Sequence, residues 1–506
     1  MNEMNQYRGY EPVIGLEVHC ELDTATKMFC GCSNSFGDVP NTNICPVCLA
    51  LPGSLPVVNS TAVEYAARIG IALHCKVQPS IFHRKNYFYP DMPKDYQISQ
   101  YDEPINVDGW LDLPMSGVRI GIERAHMEED TGKTTHMGGG GRIHDSAYSL
   151  VDYNRAGVPL IEIVSKPDIH SAEQAREYVS ELRMILVSIG VSKARMEEGS
   201  LRVDANVSVR PIGSDTLGTR CEVKNLNSLR SLTRAIEYEI VRQVELLETG
   251  EAVVQQTRHW DEAGGMTIAL RSKEEAHDYR YFAEPDLVRV DLGDERIDQI
   301  AAELPDTPEK RRMRLMEVIQ SVESLPSDSV GDVGYDNAAV SDGTDTRQPN
   351  RVGNVITVVE MGLDHLVIAA LEGGVTADRA LSRTLNEAAA RIEDADKLDP
   401  AAYTKLLMME QDGKLTATQA KAVLQSMMDG GGDPELIAST MGFEAMDSSE
   451  MMDIVAGIVR DHPDEWRRYK NGEAKLAQFF VGQAMKITRG KANGREVISM
   501  LDQIKQ

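Results

Sequence analysis

The chain has 506 residues, 42% of them hydrophobic and 26% charged, and a formal net charge of −26. This composition suits a soluble protein with large buried cores, and about one domain per 150 residues gives about three. The acidity excludes whole-surface adhesion to nucleic acid or membrane, and no apolar run reaches the ~20 residues that cross a bilayer. With a polar N-terminus that lacks an apolar signal region, the expected location is the cytoplasm.

Residues 11–295 read as strand-rich, with short alternating segments at Val13–Glu21, Leu160–Val164, Leu201–Val209 and Cys221–Val223. Ser171 is placed to cap a helix that runs to about Ile189 before Gly190, and a second helix is expected from Ser231 to Leu247, stopped at Gly250. One large α+β domain accounts for this part; two closely packed lobes are the alternative. Near Pro305 the texture changes. Glu309–Val322 is helical in composition, and 324–350 is rich in Ser, Asp, Gly and Asn, which suggests a flexible linker or a long exposed loop. The last hundred residues place apolar side chains at helical spacing: Ala420, Val423, Leu424 and Met427; then Leu476, Phe479, Phe480 and Ile487; then Val497, Met500, Leu501 and Ile504. The expected divisions are 1–298, a strand-rich cradle; 299–400, all helical; and 401–506, a small helical tail.

The charge reverses in that tail. Residues 461–506 hold nine Lys or Arg against six Asp or Glu. Lys486, Arg489, Lys491 and Arg495 gather around a glycine-containing turn. They are either a solvated helix end or a local nucleic-acid contact on an otherwise acidic protein.

Seven cysteines in so long a chain do not form a disulfide framework. Cys30 and Cys32 are separated from Cys45 and Cys48 by twelve residues, which suits one tetrahedral zinc held by two short turns. With four thiolates and no open position, that zinc would be structural. Elsewhere, carboxylates stand among apolar residues: Glu17 and His19 in Ile14-Gly-Leu-Glu-Val-His19, Glu128 and Glu129 in Ala125-His-Met-Glu-Glu-Asp130, Glu162 in Pro159-Leu-Ile-Glu-Ile-Val164, and Asp204 in Leu201-Arg-Val-Asp-Ala-Asn-Val207. Buried carboxylates are paired or hold a metal, because an unpaired one costs several kcal/mol. Residues two apart on a strand share a face, so Glu17 joins His19, and Asp204 joins Asn206. Hard oxygen ligands converging from several strands suit magnesium, which most often serves nucleotide phosphates. Thr131-Gly-Lys-Thr134 is no P-loop, since Met127 stands where that motif needs glycine. If ATP is used, its phosphates must be held by the metal and by scattered cations: Arg84, Lys85, Lys133 and Arg202.

Gly15-Leu-Glu-Val-His19, Arg84-Lys-Asn-Tyr-Phe-Tyr-Pro-Asp91, Tyr96-Gln-Ile-Ser-Gln100, His126-Met-Glu-Glu-Asp130, Met196-Glu-Glu-Gly-Ser-Leu-Arg202 and Lys224-Asn-Leu-Asn227 occur in this order. Together they resemble the B-subunit family of the tRNA-dependent amidotransferases, and Tyr469-Lys-Asn-Gly472 with Phe480-Val-Gly-Gln483 resembles that family's YqeY-like tail. The resemblance implies a cradle-shaped catalytic domain, a helical domain and the tail. It implies an ATP-dependent ligase that phosphorylates the side-chain carboxylate of misacylated Glu-tRNA(Gln) or Asp-tRNA(Asn). Ammonia from a separate glutaminase (amidase) subunit then displaces phosphate, and a third, small subunit holds the other two together in a heterotrimer. On this reading Glu17, His19, Glu129, Glu162 and Asp204 bind magnesium and form the phosphoryl-transfer pocket, with Glu128, Glu198 and Glu222 as neighbours. Cys30, Cys32, Cys45 and Cys48 bind zinc, and the tail, with Lys486, Arg489, Lys491 and Arg495, meets the tRNA. The Ser/Asp-rich stretch at 324–350 departs from the family pattern. A tRNA-binding scaffold with a structural ion is the rival of another class. An ATP-grasp-like ligase is a third, weakened by the missing glycine-rich phosphate loop.

Overall fold

The structure is a computed structural model. It describes residues 7–138, 146–270, 279–324, 351–443, 448–488 and 494–505. The chain divides into two compact units, 1–308 and 309–506.

Among the described residues, the first unit is built on fourteen strands and four helices. The strands are β1 (Tyr10–Glu21), β2 (Lys76–Val77), β3 (His83–Asn86), β4 (Tyr96–Ser99), β5 (Asn106–Asp112), β6 (Arg119–Glu129), β7 (Lys133–Met137), β8 (Tyr148–Asp152), β9 (Pro159–Ser165), β10 (Leu201–Pro211), β11 (Cys221–Leu226), β12 (Gln256–Asp261), β13 (Met266–Ala269) and β14 (Phe282–Ala283). Nine form one sheet in the order β13-β12-β11-β10-β1-β9-β6-β5-β2. Its neighbours pair antiparallel except β11 with β12. β14, β3 and β4 form a smaller sheet, and β7 pairs with β8.

Alternation decides which side of the large sheet is packed. Along β1, Leu16, Val18 and Cys20 are buried while Glu17, His19 and Glu21 between them are not. Val203, Ala205 and Val207 of β10 and Ile161 and Ile163 of β9 are buried in the same core. Helices α1 (Ser60–Ala72), α2 (Ala172–Ser188) and α3 (Leu229–Glu248) bring their apolar faces to that core, and α4 (Asp294–Glu303) packs on α1. Ser171 Oγ accepts from the Gln174 N–H at 3.1 Å, and Gly190 takes φ +70° just past the helix end. α3 starts earlier than the spacing predicts, because Ser228 caps it by accepting from the Ser231 N–H at 3.0 Å. On α3 the buried Glu239 accepts from Gln243 at 2.9 Å and Thr267 at 3.0 Å and pairs with Arg242 and Arg258.

The second unit is helical: α5 (Pro308–Ser324), α6 (Arg351–Glu360), α7 (Asp364–Glu372), α8 (Ala377–Asn386), α9 (Ile392–Ala395), α10 (Pro400–Gln411), α11 (Ala417–Gly430), α12 (Pro434–Thr440), α13 (Ser448–Asp461), α14 (Pro463–Lys470), α15 (Leu476–Ile487) and α16 (Gly494–Lys505). The fold class is thus the expected one, a sheet-rich region followed by helices. One apolar core runs from Leu315 to Ala438, so the expected division at 400 falls inside it, where Tyr403, Leu406 and Leu407 pack. Met451, Val455, Phe480, Val497 and Leu501 belong to a separate core. The segment expected to be a linker, 325–350 for all but its first residue, lies outside the described residues. No described helix is long and apolar enough to cross a membrane.

Candidate active site

The open face of the large sheet carries the charge. Register sets it in rows. Glu17 faces Asp204 across β1 and β10, His19 faces Glu162 across β1 and β9, and Glu162 faces His126 across β9 and β6. Since each side chain is an even number of residues from its neighbours on the strand, all point away from the helices. The β3–β4 edge overlooks this face. There Lys85 and Gln97 line a cleft of about 520 Å³ with His19, Glu128, Arg202 and Lys224.

Two acid groups stand side by side in the charged rows. Ligand atoms of His19, Glu128 and Glu162 lie within 4.8 Å of one another, as do those of Glu17, Asp204 and Glu222. In the first group, His126 Nε2 is 3.3 Å from Glu128 Oε1 and 3.4 Å from Glu162 Oε2, and His19 Nε2 is 3.6 Å from Glu162 Oε2. Ser99 Oγ donates to Glu128 at 2.9 Å, and Gln97 Nε2 donates at 3.2 Å. Burial opposes charge on His126, but its bonds to both glutamates outweigh that and push its pKa up to about 9. Burial would raise Glu128 too; the His126 bond and the Lys85 charge hold it below the usual carboxylate range. In the second group, Asn206 Nδ2 donates to Glu17 at 2.9 Å, and Lys224 bonds Asp204 at 2.8 Å and Glu222 at 2.7 Å. Burial and the neighbouring Glu162 charge raise the Glu17 pKa.

The donor chemistry of the two groups differs. The second is all carboxylate oxygen, the set that magnesium and manganese prefer, whereas the first mixes one imidazole with two carboxylates. Both fit a divalent ion. Cys30, Cys32, Cys45 and Cys48 lie within 4.8 Å of one another in the loop after β1, which fits a tetrahedral zinc held by four thiolates. The bond from Cys30, then the Cys45 N–H and the Lys27 charge, draw the Cys48 thiol down to about 5 against its burial. A thiolate is the form that binds metal.

Comparison with known proteins matches this architecture. The GatB/GatE catalytic domain matches residues 12–298, and the GatB domain matches 378–504. The chain is 45% identical to the B subunit of the aspartyl/glutamyl-tRNA(Asn/Gln) amidotransferase of Frankia casuarinae, over 97% of this chain and 95% of that one. It is 45% identical to the protein of the same name from Carboxydothermus hydrogenoformans, over 98% of each chain. For that of Cutibacterium acnes the identity is 46%, over 97% of this chain and 96% of the other. The chain belongs to the B-subunit family of the tRNA-dependent amidotransferases.

Within this family member, the sequence-predicted residues fall into three sets. Glu17, His19, Glu162, Asp204, Lys85 and Arg202 come together on the open face, joined by the neighbours Glu128 and Glu222. Glu129 does not join them. As the residue after Glu128 on β6 it points the other way, where it is bonded to Lys94 and accepts from the Ile98 N–H at 2.9 Å. Arg84 is likewise one residue off: next to Lys85 on β3, it is held by both oxygens of Glu284 at 2.7 and 2.8 Å. Lys133 lines a separate cleft of about 990 Å³ together with Glu198. Glu198 is paired there with Arg195 at 2.7 Å. In the tail Lys486 lies in the last turn of α15; Arg489 and Lys491 lie outside the described residues, and Arg495 is on α16.

His126 and Lys224 are the residues that sequence reasoning passed over. His126 stands two before Glu128, the spacing that singled out Glu17 with His19, and that signal was available. Lys224 is aimed by an irregularity in pairing that the sequence does not display: β10 and β11 slip register between Val203 and Ala205.

Proposed function

We propose that this cleft is where the amidotransferase activates and amidates the free side-chain carboxylate of an amino acid esterified to tRNA, that of Glu-tRNA(Gln), Asp-tRNA(Asn) or both. The observation that carries the reading is that His19 and Glu128 of the first acid group and Asp204 of the second line one cleft with the cations Lys85, Arg202 and Lys224. A carboxylate resists ammonia because its leaving group would be oxide. A carboxylate oxygen therefore attacks the γ-phosphorus of ATP, the bond from phosphorus to the β–γ bridging oxygen breaks, and ADP leaves. Ammonia adds to the carbonyl of the resulting acyl phosphate, loses a proton, and phosphate departs with its bonding pair. The first step is mainly positioning and charge clamping.

His19, Glu128 and Glu162 would hold one magnesium ion, and Glu17, Asp204 and Glu222 a second. When bound, magnesium supplies the charge that draws the triphosphate to the acidic face. Lys85 and Arg202 meet phosphate oxygens. Asp130 fixes Arg202, accepting from its Nη2 at 2.7 Å, and leaves its buried Nε without a partner for a phosphate oxygen to meet. The four-cysteine group keeps a structural zinc. Residues 1–298 are read as the catalytic cradle, followed by a helical domain whose core runs to Ala438 and then by the tail. The tail, with Lys486, Arg489, Lys491 and Arg495, touches the tRNA. The glutaminase subunit supplies ammonia, and the small third subunit completes the complex in the cytoplasm, where aminoacyl-tRNA is made.

Trapping decides between this enzyme and a scaffold. With misacylated tRNA and ATP radiolabelled at the γ-phosphate but no glutamine or ammonia, the assembled complex should accumulate label on the aminoacyl group. A scaffold leaves the tRNA unlabelled, and that result would end the proposal.

A further inference from the structure

The two acid groups differ in what neutralises them. A lysine stands inside the second. Lys224 Nζ is 2.7 Å from Glu222 Oε1 and 2.8 Å from Asp204 Oδ2, bond lengths at which the ammonium is seated rather than passing. The position is built into the backbone. β11 carries one extra residue against β10, a bulge at Lys224 and Asn225. Asn225 takes φ +69°, a left-handed conformation that asparagine adopts more readily than other side chains, and its Nδ2 bonds the Trp260 carbonyl at 3.0 Å. This bulge turns Lys224 back over Asp204. Thr257 donates to the other oxygen of Glu222 at 2.8 Å, so that carboxylate is held against the ammonium, and Asn206 donates to Glu17 at 2.9 Å.

One ammonium does not balance three carboxylates, yet it is bonded to two of the three that a metal would use. Magnesium sits about 2.0–2.1 Å from its ligands, and an ammonium on the same oxygens would repel it at close range. The two cations therefore exclude each other. Lysine suits exchange: it is a compact charge on a flexible stem, and nearly half of this side chain, 42%, is exposed to the cleft. We propose that Lys224 is the resident cation of the Glu17–Asp204–Glu222 group and competes with a divalent ion for it, so that the group loads metal only as Lys224 withdraws. The idea rests on the reading of this cleft as a metal-dependent phosphoryl-transfer site, and it adds that the second ion is gated by a side chain of the protein itself.

Manganese counted by the electron paramagnetic resonance of the free ion, on the assembled complex without nucleotide, tests it. Lys224→Met should take up one Mn2+ more than wild type, or take it up at about tenfold lower free concentration. Adding Asp204→Asn to that variant should remove the gain. Lys224→Gln, read the same way beside circular-dichroism melting, serves if the methionine variant does not fold. Equal counts and equal affinities for wild type and both lysine variants overturn the proposal. Because the count is made without nucleotide or tRNA, such a result leaves the labelling experiment, and the reading of the cleft, untouched.

Discussion

Adjacent residues on the central strands live in opposite environments. Ile163 is fully buried among the aliphatic side chains that meet the helices, while Glu162, one residue earlier, faces His19 and His126. Both side chains are largely enclosed, so burial alone does not separate structural from chemical roles here. The partners do. Ile163 has apolar contacts that hold the sheet to its helices, and Glu162 has titratable neighbours that leave an ion-sized group of ligand atoms. On the proposed reading of the cleft, one side of this sheet supplies stability and the other carries the chemistry.

The sharpest way to break that comparison is to change one residue on each side. Glu162→Gln keeps shape and removes a proposed metal ligand. It should lower labelling of the aminoacyl group about a thousandfold, since charge clamping carries most of a phosphoryl transfer, while the melting temperature shifts little. Ile163→Ala should do the reverse, costing about 3 kcal/mol of stability by denaturant titration with kcat for the folded enzyme near wild type. Equal stability losses for both variants, or unchanged labelling by Glu162→Gln, would show that the two sides do not divide the work.

Glu239 refines the comparison, because it is a charge on the packed side. Both its oxygens are bonded, and burial alone would raise its pKa; the bonds from Arg242 and Gln243 and the Arg242 charge bring it below the ordinary value of 4.5 instead. A folded pKa below the unfolded one gives stability that is present above about pH 4.5 and is lost as pH falls through the folded value. Glu239→Gln leaves Arg242 and Arg258 without their carboxylate. It should cost about 3 kcal/mol at pH 7, with the deficit shrinking below pH ~4.5 and with labelling intact once folded. A deficit independent of pH would mean that the charge is not what matters.

Much of this was legible in the sequence, for reasons that the residues make clear. Period-two alternation placed β1 and β10, the apolar run around Glu162 marked β9, and the caps at Ser171 and Gly190 bounded α2 closely, because these signals are local. The cysteine spacing was enough to bring four thiols together. Motif matching was weaker where adjacent residues part ways. Glu128 and Glu129, or Arg84 and Lys85, are equivalent in composition, and only the pleat and the partners Lys94 and Glu284 decide which of each pair enters the cleft. Lys133 was misplaced for another reason: it belongs to the separate β7–β8 ribbon, whose position depends on contacts far away in sequence.

The smallest expected effect concerns a residue that joins structure to chemistry. Asp130 is 4% exposed, and its Oδ2 takes Arg202 at 2.7 Å and Arg155 at 3.4 Å. Arg155 also donates to the carbonyls of Thr131 and Gly132, at 3.0 and 3.2 Å, so it ties down the turn while Arg202 reaches into the cleft. Asp130→Asn keeps an acceptor for Arg202 but removes the charge that orients it. The KM for ATP should rise about tenfold, near 1.4 kcal/mol, with kcat changed less. In a double-mutant cycle with Arg202→Ala, the second substitution should add little to the first, since both would weaken the same proposed phosphate contact. Fully additive effects would mean that Asp130 supports the turn alone, and the boundary between the stable and the reactive sides of the sheet would then run through Arg202 rather than behind it.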